Sequence, residues 1–434
     1  MKSNAVLSSW SMGNTDISRS IEAIWRIESA KVIASLARML RDVGLAEDFA
    51  HDALVIALEQ WPRVCVPDKP GAWLLTTARH RAIDQLRRRA TLTRTHDMLG
   101  HELDMEQEDS NQPFETVARE GIDDDLLRLL FVACHPILSR EGRTALTLRL
   151  LGGLTTAEIA RAFLVPEPTI SQRIVRAKRT LREAGVAFEI PSADERQSRL
   201  ASVLEVIYLI FNEGYSATAG NDWMRPALCE EALRIGRILA ELAPDDAEAH
   251  GLVALMEIQA SRFGSRVDAR GDPILLFDQD RTRWNRLLIQ RGLNALTRVD
   301  ALKQTRGPYV LQAQIAACHA RAAAAGDTDW PAIEGLYAEL VHLTASPVIE
   351  LNRAVAVGMA RGPAAGLALA DQLSAGGALD SYHLLPSVRA DLLQKLGRIA
   401  EACSEFERAA TLTQNERERA LLQRRAAACM RGTV

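Results

Sequence analysis

The amino-acid sequence predicts an almost wholly α-helical protein. Ala, Leu, Arg and Glu, which favour helices, recur throughout its 434 residues, whereas aromatic residues make up only 5% of the chain. Alternating β-branched runs are rare. The length suggests about two to four domains. A net charge of −4 and a hydrophobic content of 47% exclude a uniformly basic nucleic-acid binder and a highly charged disordered chain.

The cysteine pattern indicates a protein without a metal centre or a disulfide framework. Six cysteines occur singly, with no C-x-x-C pair and no Cys/His ladder. Cys134-His135 and Cys318-His319 are adjacent pairs, which do not share a helix face, so we interpret both as structural. We expect no metal and no cofactor. Because no long apolar run and no secretory leader is present, we also expect a cytoplasmic protein without membrane contact.

Three helices are predicted in the first hundred residues. Residues 1–17 are polar and are predicted to be disordered. Apolar residues at helical spacing then predict a helix from Ile21 to Leu40 and, after a break at Gly44, a second from Leu45 to Trp61. After a proline-containing loop, the third predicted helix begins near Ala72 and ends in three consecutive arginines.

The second and third helices carry opposite charges. Asp48, Asp52 and Glu59 follow one stripe at i, i+4 and i+11, which suits a basic protein partner. Residues 79–94 contain six arginines and one aspartate, a net charge of +5, and they follow Trp73. An aromatic residue beside a basic helix can stack on unpaired bases, although a charge run is more often only a solvated face.

The charge distribution also suggests the domain boundaries. Residues 97–125 contain eleven acidic residues and one arginine, a net charge of −10, which is typical of a flexible or extended linker. We therefore predict a first domain over 18–95, an acidic linker over 96–122, a second domain over 123–187 and a helical extension over 192–434.

The sharpest local pattern is a predicted helix-turn-helix in the second domain. Thr155 or Thr156 is a candidate N-cap, and Leu164-Val165-Pro166 forms the turn before a helix with Pro168 in its first turn. Residues 161–182 carry six basic and one acidic side chain, a net charge of +5. The second helix can therefore enter a major groove, with Arg and Gln reading base edges. Its predicted core stripe is Ile170, Ile174, Ala177 and Leu181.

The extension is predicted to be a series of helical hairpins. One unit has residues at the offsets of a tetratricopeptide repeat, and a shifted unit around Ala354, Gly362 and Ala370 follows the same rhythm of small residues. An ordinary Ala-rich hairpin would give a similar pattern. The residues at repeat offsets are Ala390, Leu393, Gly397, Ala402, Phe406 and Ala409.

In this order, the elements resemble the sigma-70 family of bacterial RNA polymerase sigma factors. They are most similar to the extracytoplasmic-function (ECF) group, which keeps only regions 2 and 4. The segments that carry the resemblance are Ala46–Ala53, Ala72–Arg88 and Thr156–Leu181. In the extension, Val203–Tyr215, Asp278–Trp284 and Leu351–Val357 resemble a subgroup with a long tetratricopeptide-like C-terminal domain.

The resemblance implies a sigma factor that binds the clamp and flap of core RNA polymerase and promoter DNA. It implies no catalytic activity, and we expect a monomer whose extension binds a regulatory protein or ligand. The implied polymerase-binding residues are Glu47, Asp48, His51, Asp52, Val55 and Glu59. The implied −10 residues are Lys69, Trp73, Thr76, Arg79, His80, Asp84, Arg87 and Arg88. The implied −35 residues are Thr169, Ser171, Gln172, Arg173, Val175, Arg176, Lys178 and Arg179.

Four positions depart from the family pattern. Thr76 stands where many members have Arg, His80 where Asn is usual, His51 where Gln is usual, and Pro168 where Gly is usual. These departures bear on the preferred −10 sequence and leave the class unchanged.

Two other functions remain open from the residues alone. A helix-turn-helix regulator with a helical ligand-binding or protein-binding domain would explain the second domain but not the acidic stripe. An enzyme in the extension would use the polar segments around Glu213 and Asp280, which we interpret instead as helix-capping or ion-paired carboxylates. Two models also remain for the extension. In the first model, the extension holds regions 2 and 4 together until a signal arrives. In the second model, it adds contacts to polymerase.

Overall fold

The computed structural model describes residues 4–96, 117–217 and 220–430, and the regular structure in these ranges is helical. The only β-type pairings among them are two isolated bridges. The chain divides into two compact units. The first comprises residues up to Val206 except 162–164, and the second comprises 162–164 and the residues from Ile207 onward. The predicted all-α class is confirmed.

The first unit contains two helical groups. Following the resemblance, we call the first three helices region 2 and the next four region 4, after which a long helix continues into the second unit. The helices are α1 (Asn4–Leu40), α2 (Val43–Gln60), α3 (Pro70–His96), α4 (Val117–Ala133), α5 (Arg140–Leu150), α6 (Thr156–Phe163), α7 (Glu167–Glu183) and α8 (Ala193–Tyr215).

Region 2 is a bundle in which α1, α2 and α3 pack on one another. Asp42 caps α2, because its carboxylate accepts a hydrogen bond from the backbone N of Leu45 at 3.0 Å. Large apolar side chains from each helix are fully buried, including Leu36, Phe49 and Leu74. Burial of these side chains stabilises the bundle by about 1.5–3 kcal/mol each.

The N-terminal segment differs from its prediction. Helix α1 starts at Asn4, within the segment 1–17 for which the sequence predicts disorder. Val6, Trp10 and Ile17 continue the helical spacing of Ile21 toward the N-terminus, which accounts for the longer helix.

Part of the predicted acidic linker is helical. Residues 97–116 lie outside the described residues, and α4 begins at Val117, within the predicted linker. Glu120 lies in the first turns of this helix, where a negative charge is favourable, and Asp125 pairs with Arg128 on the same helix at 2.7 Å. The predicted linker over 96–122 thus includes the first residues of α4, and its bounds otherwise stay a prediction.

The second unit is a succession of helices in which each packs mainly on its neighbours in the chain. Short 3₁₀ turns cover residues 263–265, 276–278, 281–283 and 325–327. Among the described residues, no helix is both long and apolar enough to cross a membrane. The helices are α9 (Pro226–Leu242), α10 (Ala247–Ala260), α11 (Arg286–Leu302), α12 (Pro308–Arg321), α13 (Trp330–Thr344), α14 (Pro347–Arg361), α15 (Pro363–Ala375), α16 (Leu384–Lys395), α17 (Ile399–Leu412) and α18 (Glu416–Met430).

The first residues of the predicted extension belong to the first unit. Helix α8 starts close to the expected position, at Ala193, but its residues up to Val206 belong to the unit that contains region 4. Arg199 donates a hydrogen bond to the carbonyl of Phe131 at 2.9 Å, and Ser202 donates to the carbonyl of Cys134 at 2.7 Å. These bonds satisfy carbonyl groups at the C-terminal end of α4.

The hairpin predicted from small-residue offsets is present. Ala390, Leu393, Ala402, Phe406 and Ala409 are buried in one hydrophobic cluster. Gly397 forms the turn between α16 and α17 with a φ of +74°, a backbone conformation that glycine adopts without strain. Assignment to the tetratricopeptide family of repeats stays a prediction.

The preceding hairpin depends on a close backbone approach. A Cβ at Gly366 of α15 would lie 2.6 Å from the carbonyl oxygen of Ala354 and 2.8 Å from the Cα of Gly358, both on α14. Because both obstacles are backbone atoms, an added methyl group can be accommodated only if the two helices separate.

We predict that Gly366→Ala destabilises this hairpin by about 1–3 kcal/mol, since the new methyl group overpacks the helix contact. Gly335→Ala is the matched control, because a Cβ at Gly335 on α13 meets no atom within 4 Å. That change is expected to stabilise by about 0.4–1 kcal/mol. Hydrogen exchange of α13–α15 measures both, and equal protection in the two variants would contradict the packing argument.

Candidate nucleic-acid and protein interface

The helix-turn-helix begins with a reciprocal cap. The backbone N of Glu158 donates to Thr155 Oγ1 at 3.2 Å, and Glu158 Oε2 accepts from the backbone N of Thr155 at 2.8 Å. This capping box fixes the start of α6. The turn that follows contains Leu164 with a φ of +52°, and α7 then starts at Glu167 with Pro168 in its first turn, as predicted.

Helix α7 has the two faces that its sequence predicts. Ile170, Ile174, Ala177 and Leu181 are all buried, so the predicted core stripe is confirmed. The opposite face is exposed along the helix; Val175 on this face, for example, is 64% exposed. Among the predicted −35 residues, Ser171, Gln172, Val175, Arg176 and Arg179 are exposed, whereas Thr169, Arg173 and Lys178 are half-buried.

Helix α3 presents most of the predicted −10 residues on one exposed surface. Leu74, Ala78 and Ala82 bury the opposite face. Trp73 is half-buried and packs edge-on against Trp61, with ring centroids 5.3 Å apart. The exposed members are Lys69, Thr76, His80, Asp84 and Arg87, Arg79 is half-buried, and the Arg88 side chain lies outside the described residues.

The predicted polymerase-binding stripe on α2 is divided into two groups. Asp48, Asp52, Val55 and Glu59 are exposed, as a protein-binding surface requires. Glu47 is only 3% exposed, and His51 is half-buried. The structure therefore separates a solvent-facing group from a pair that contacts region 4.

Glu47 lies between two cations of region 4. Its Oε1 accepts a hydrogen bond from Arg149 Nε at 2.6 Å, and its Oε2 forms an ion pair with Lys178 Nζ. Burial raises the pKa of the Glu47 carboxyl, but the charges of Lys178 and Arg149 outweigh burial and hold the pKa below its ordinary value. Glu47 is therefore a buried carboxylate that is charged at neutral pH.

His51 completes the same cluster as a neutral ring. Its Nδ1 lies 2.9 Å from the carbonyl oxygen of Glu47, and its Nε2 lies 2.8 Å from Arg149 Nη2. Since a guanidinium can only donate, Nε2 accepts and Nδ1 carries the proton. Burial and the Arg149 charge lower the pKa of His51, which keeps the ring neutral. The ring also packs on Trp25 of α1, with centroids 5.3 Å apart.

Arg149 is not among the residues that the sequence predicted to belong to a site. It lies 102 residues after Glu47, so no helical spacing connects the two. One signal was present: Arg149 is the only charged residue in the run Leu146–Leu151, where both flanking leucines are buried. Charged side chains are rarely placed among buried residues unless they are paired.

Two further ion pairs connect region 2 to region 4. Arg26 of α1 pairs with Glu158 of α6 at 2.6 Å, and Arg38 of α1 pairs with Asp125 of α4 at 3.3 Å. Asp125 is 1% exposed, and burial raises the pKa of its carboxyl. Regions 2 and 4 are thus in direct contact through three charged clusters.

The remaining polar candidates have structural roles. Cys134 is buried, its Sγ lies 3.2 Å from Thr147 Oγ1, and burial raises the pKa of the thiol to about 12. Glu213 is paired with Arg225, and Asp280 caps the 3₁₀ turn at 281–283 by accepting from the backbone N of Thr282 at 2.9 Å. In the described part of the chain, no group of His, Cys, Asp or Glu side chains could hold a metal ion.

Comparisons with known proteins match these two groups of helices. Sigma-70 region 2 matches residues 26–91, sigma-70 region 4 matches residues 128–181, and a family of unknown function (DUF6596) matches residues 199–300. A region 2 bundle followed by a region 4 helix-turn-helix defines a sigma factor, the class of protein that directs transcription initiation.

Individual relatives identify the family within that class. The ECF RNA polymerase sigma factor SigK of Mycobacterium ulcerans (strain Agy99) is 31% identical over 156 residues, which cover 35% of this chain and 78% of that protein. An uncharacterized protein of Rhizobium meliloti (strain 1021) is 42% identical over 396 residues, which cover 91% of this chain and 92% of that protein. No solved structure matches the chain. The chain belongs to the ECF group of the sigma-70 family, whose members are transcription factors rather than enzymes.

We predict that acid weakens the contact between regions 2 and 4 through His51. The folded-state pKa lies below the ordinary 6.5, so the stabilisation is complete above that pH and is lost as the pH falls from 6.5 toward the folded value. Protonation would place a second cation against Arg149, with Lys178 of α7 also nearby and only Glu47 to offset them.

Unfolding free energies of the wild type and His51→Gln, measured between pH 7.5 and 5.5, check this prediction. The wild type should lose more stability on acidification, because glutamine does not titrate. His135 and His319 also have lowered pKa values but are present in both proteins, so the difference isolates His51. Parallel pH profiles would contradict the prediction.

Proposed function

We propose that the exposed face of α7 reads the −35 element of the promoter. The observation that carries this proposal is the separation of the helix into a fully buried core stripe and an exposed face with Gln172, Arg176 and Arg179. Gln and Arg form bidentate hydrogen bonds with adenine and guanine edges. Phosphate contacts are assigned to the flanking cations, which position the helix without reading sequence.

We propose that α3 engages the −10 element in its melted form. Its exposed surface combines cations with polar side chains, and Trp73 lies beside them with its ring partly exposed. An aromatic ring at such a position stacks on an unpaired base, and the cations hold the single-stranded backbone. Thr76 and His80 lie on this surface, so they are the candidates for the altered −10 preference.

We propose that Asp48, Asp52, Val55 and Glu59 dock on the polymerase clamp. Their exposure on one helix supports this role, because an acidic surface with an apolar centre complements a basic partner surface. Region 4 is assigned to the flap. In this proposal, polymerase holds regions 2 and 4 on their separate promoter elements. The sigma factor itself then needs no catalytic site.

We propose that the extension regulates this activity through α8. That helix forms hydrogen bonds with α4 in its first half and continues into the second unit, so a change in the second unit can reach region 4 along one helix. A regulatory protein or small ligand that binds the extension is the expected input, acting on a monomeric sigma factor.

We predict that Gln172→Ala and Arg176→Ala each weaken holoenzyme binding to a cognate promoter about 5- to 150-fold, the equivalent of about 1–3 kcal/mol for one bidentate base contact. Arg196→Ala on α8 is the matched control, since Arg196 is an exposed arginine outside the predicted DNA surface. Gel-shift titration of promoter fragments with reconstituted holoenzyme measures all three. Equal losses on promoter and random DNA would overturn the base-reading role.

We predict that the double substitution Asp48→Arg with Asp52→Arg lowers affinity for core polymerase at least about tenfold, because like charges then face each other across the interface. Glu241→Arg on α9 is the control for charge reversal, since Glu241 is exposed and outside the predicted surface. Size-exclusion chromatography with core polymerase and anisotropy titration provide the measurement. Unchanged co-elution of the double variant would contradict the assignment of α2.

A further inference from the structure

We propose that region 4 covers part of the polymerase-binding stripe of the same chain. Polymerase can then bind only after Glu47 has lost its contacts with Arg149 and Lys178. This inference rests on the proposed polymerase-binding role of α2. We call the arrangement in which the three charged clusters join regions 2 and 4 the closed arrangement.

The burial of Glu47 supports this inference. Asp48 and Asp52 on the same helix are exposed, whereas Glu47 is covered by α5 and α7. Arg149 uses three of its nitrogens in the cluster: Nε donates to Glu47, Nη2 donates to His51, and Nη1 donates to the carbonyl of Leu154 at 3.1 Å. A guanidinium with this many directed bonds has one well-defined position. The contact is therefore specific rather than a loose surface ion pair.

The position of Lys178 connects the contact to DNA binding. Lys178 belongs to the predicted −35 surface, yet its ammonium group is paired with Glu47. The same cation cannot neutralise a promoter phosphate while it neutralises this carboxylate. Region 4 in the closed arrangement thus lacks one of its DNA contacts.

Distance makes closure and promoter recognition mutually exclusive. The −10 and −35 elements are separated by about 25 base pairs, or about 85 Å at 3.4 Å per base pair. In the closed arrangement, atoms of regions 2 and 4 lie 2.6 Å apart at Arg26–Glu158 and at Arg149–Glu47. Regions 2 and 4 must therefore separate before they can occupy both elements.

The closed arrangement also lowers the apparent affinity for polymerase. When only a fraction of a protein is competent to bind, the apparent dissociation constant equals the intrinsic constant divided by that fraction. Weakening the contact from the region 4 side should therefore tighten binding to core polymerase, although the variant loses an interaction seen in the structure. A purely structural role for Arg149 predicts no such gain.

Two variants of α5 distinguish a contact that limits polymerase binding from a purely structural role of Arg149. Arg149→Ala removes the bridge to region 2, whereas Arg140→Ala on the same helix removes only the pair with Glu205, which lies on α8. Arg26→Ala opens the contact at a second place, and because Arg26 is 48% exposed, this variant should fold even if Arg149→Ala does not. Circular dichroism of each full-length variant checks folding.

Fluorescence transfer measures the separation of the regions. Cys65 in region 2 is exposed and serves as one label site, and Glu183→Cys at the end of α7 is the other, with half-buried Cys318 replaced by Ser. We expect efficient energy transfer between the two labels in the free wild-type protein and in the Arg140→Ala variant. Transfer should fall when core polymerase is added, and it should fall without polymerase in Arg149→Ala and Arg26→Ala. The two opened variants should bind core polymerase at least about threefold more tightly.

The outcomes distinguish this inference from the proposed function. If wild type fails to bind core polymerase, the proposed function is wrong. If wild type binds, but the folded opened variants match Arg140→Ala in transfer and affinity, the proposed function stands and the inference is overturned. Low transfer in free wild type, equal to that in the holoenzyme, would also overturn the inference.

Discussion

The arrangement of the N-terminal unit depends on one buried carboxylate. An ionised Glu47 with 3% exposure is stable only while cations and hydrogen bonds replace the water that it has lost. Region 4 supplies those cations from two helices, α5 and α7, so the position of Glu47 determines how the two groups of helices meet. His51 adapts to the same requirement by remaining neutral and accepting from Arg149.

A buried ion cluster of this kind is specific but adds little stability overall. The cost of removing charges from water offsets much of their attraction, whereas removing one partner costs about 3–5 kcal/mol because a buried charge is left alone. The closed contact can therefore be exchanged readily for another that also satisfies Glu47, such as water in an opened unit or a basic partner surface. An apolar contact of the same area would be harder to reverse.

Local patterns in the sequence predicted the fold well, and contacts between distant residues were not predictable. The helix-turn-helix, its core stripe and the hairpin around Phe406 follow from spacing within about 25 residues, which is what helical periodicity reports. The extent of α1 was underestimated because polar residues hid the apolar spacing of Val6, Trp10 and Ile17. The start of α4 was not predictable from composition, because acidic residues occur both in linkers and in exposed helices.

The candidate site shows the same difference between local patterns, which were predictable, and long-range contacts, which were not. The resemblance assigned Glu47 and His51 to a predicted polymerase-binding surface and Lys178 to a predicted DNA-binding surface, and most of the other residues in those two sets are exposed. The sequence could not show that Arg149 contacts Glu47 and His51, or that Lys178 pairs with Glu47, because these contacts join positions about 100 or more residues apart on different helices. Side-chain charge predicts that a partner is needed, but only the fold determines which partner is present.

Charge distribution explains how a nearly neutral chain can act on DNA only in the right context. The two basic segments, each with a net charge of +5, are balanced by eleven acidic residues between them, so the free protein has little general attraction for DNA. In the closed arrangement, the pairing of Lys178 with Glu47 occupies one more cation of the predicted DNA-binding face. If polymerase takes the place of region 4 at Glu47, as we propose, its binding would free Lys178 for DNA and separate the two regions in one step. Promoter binding would then depend on polymerase without a separate inhibitor.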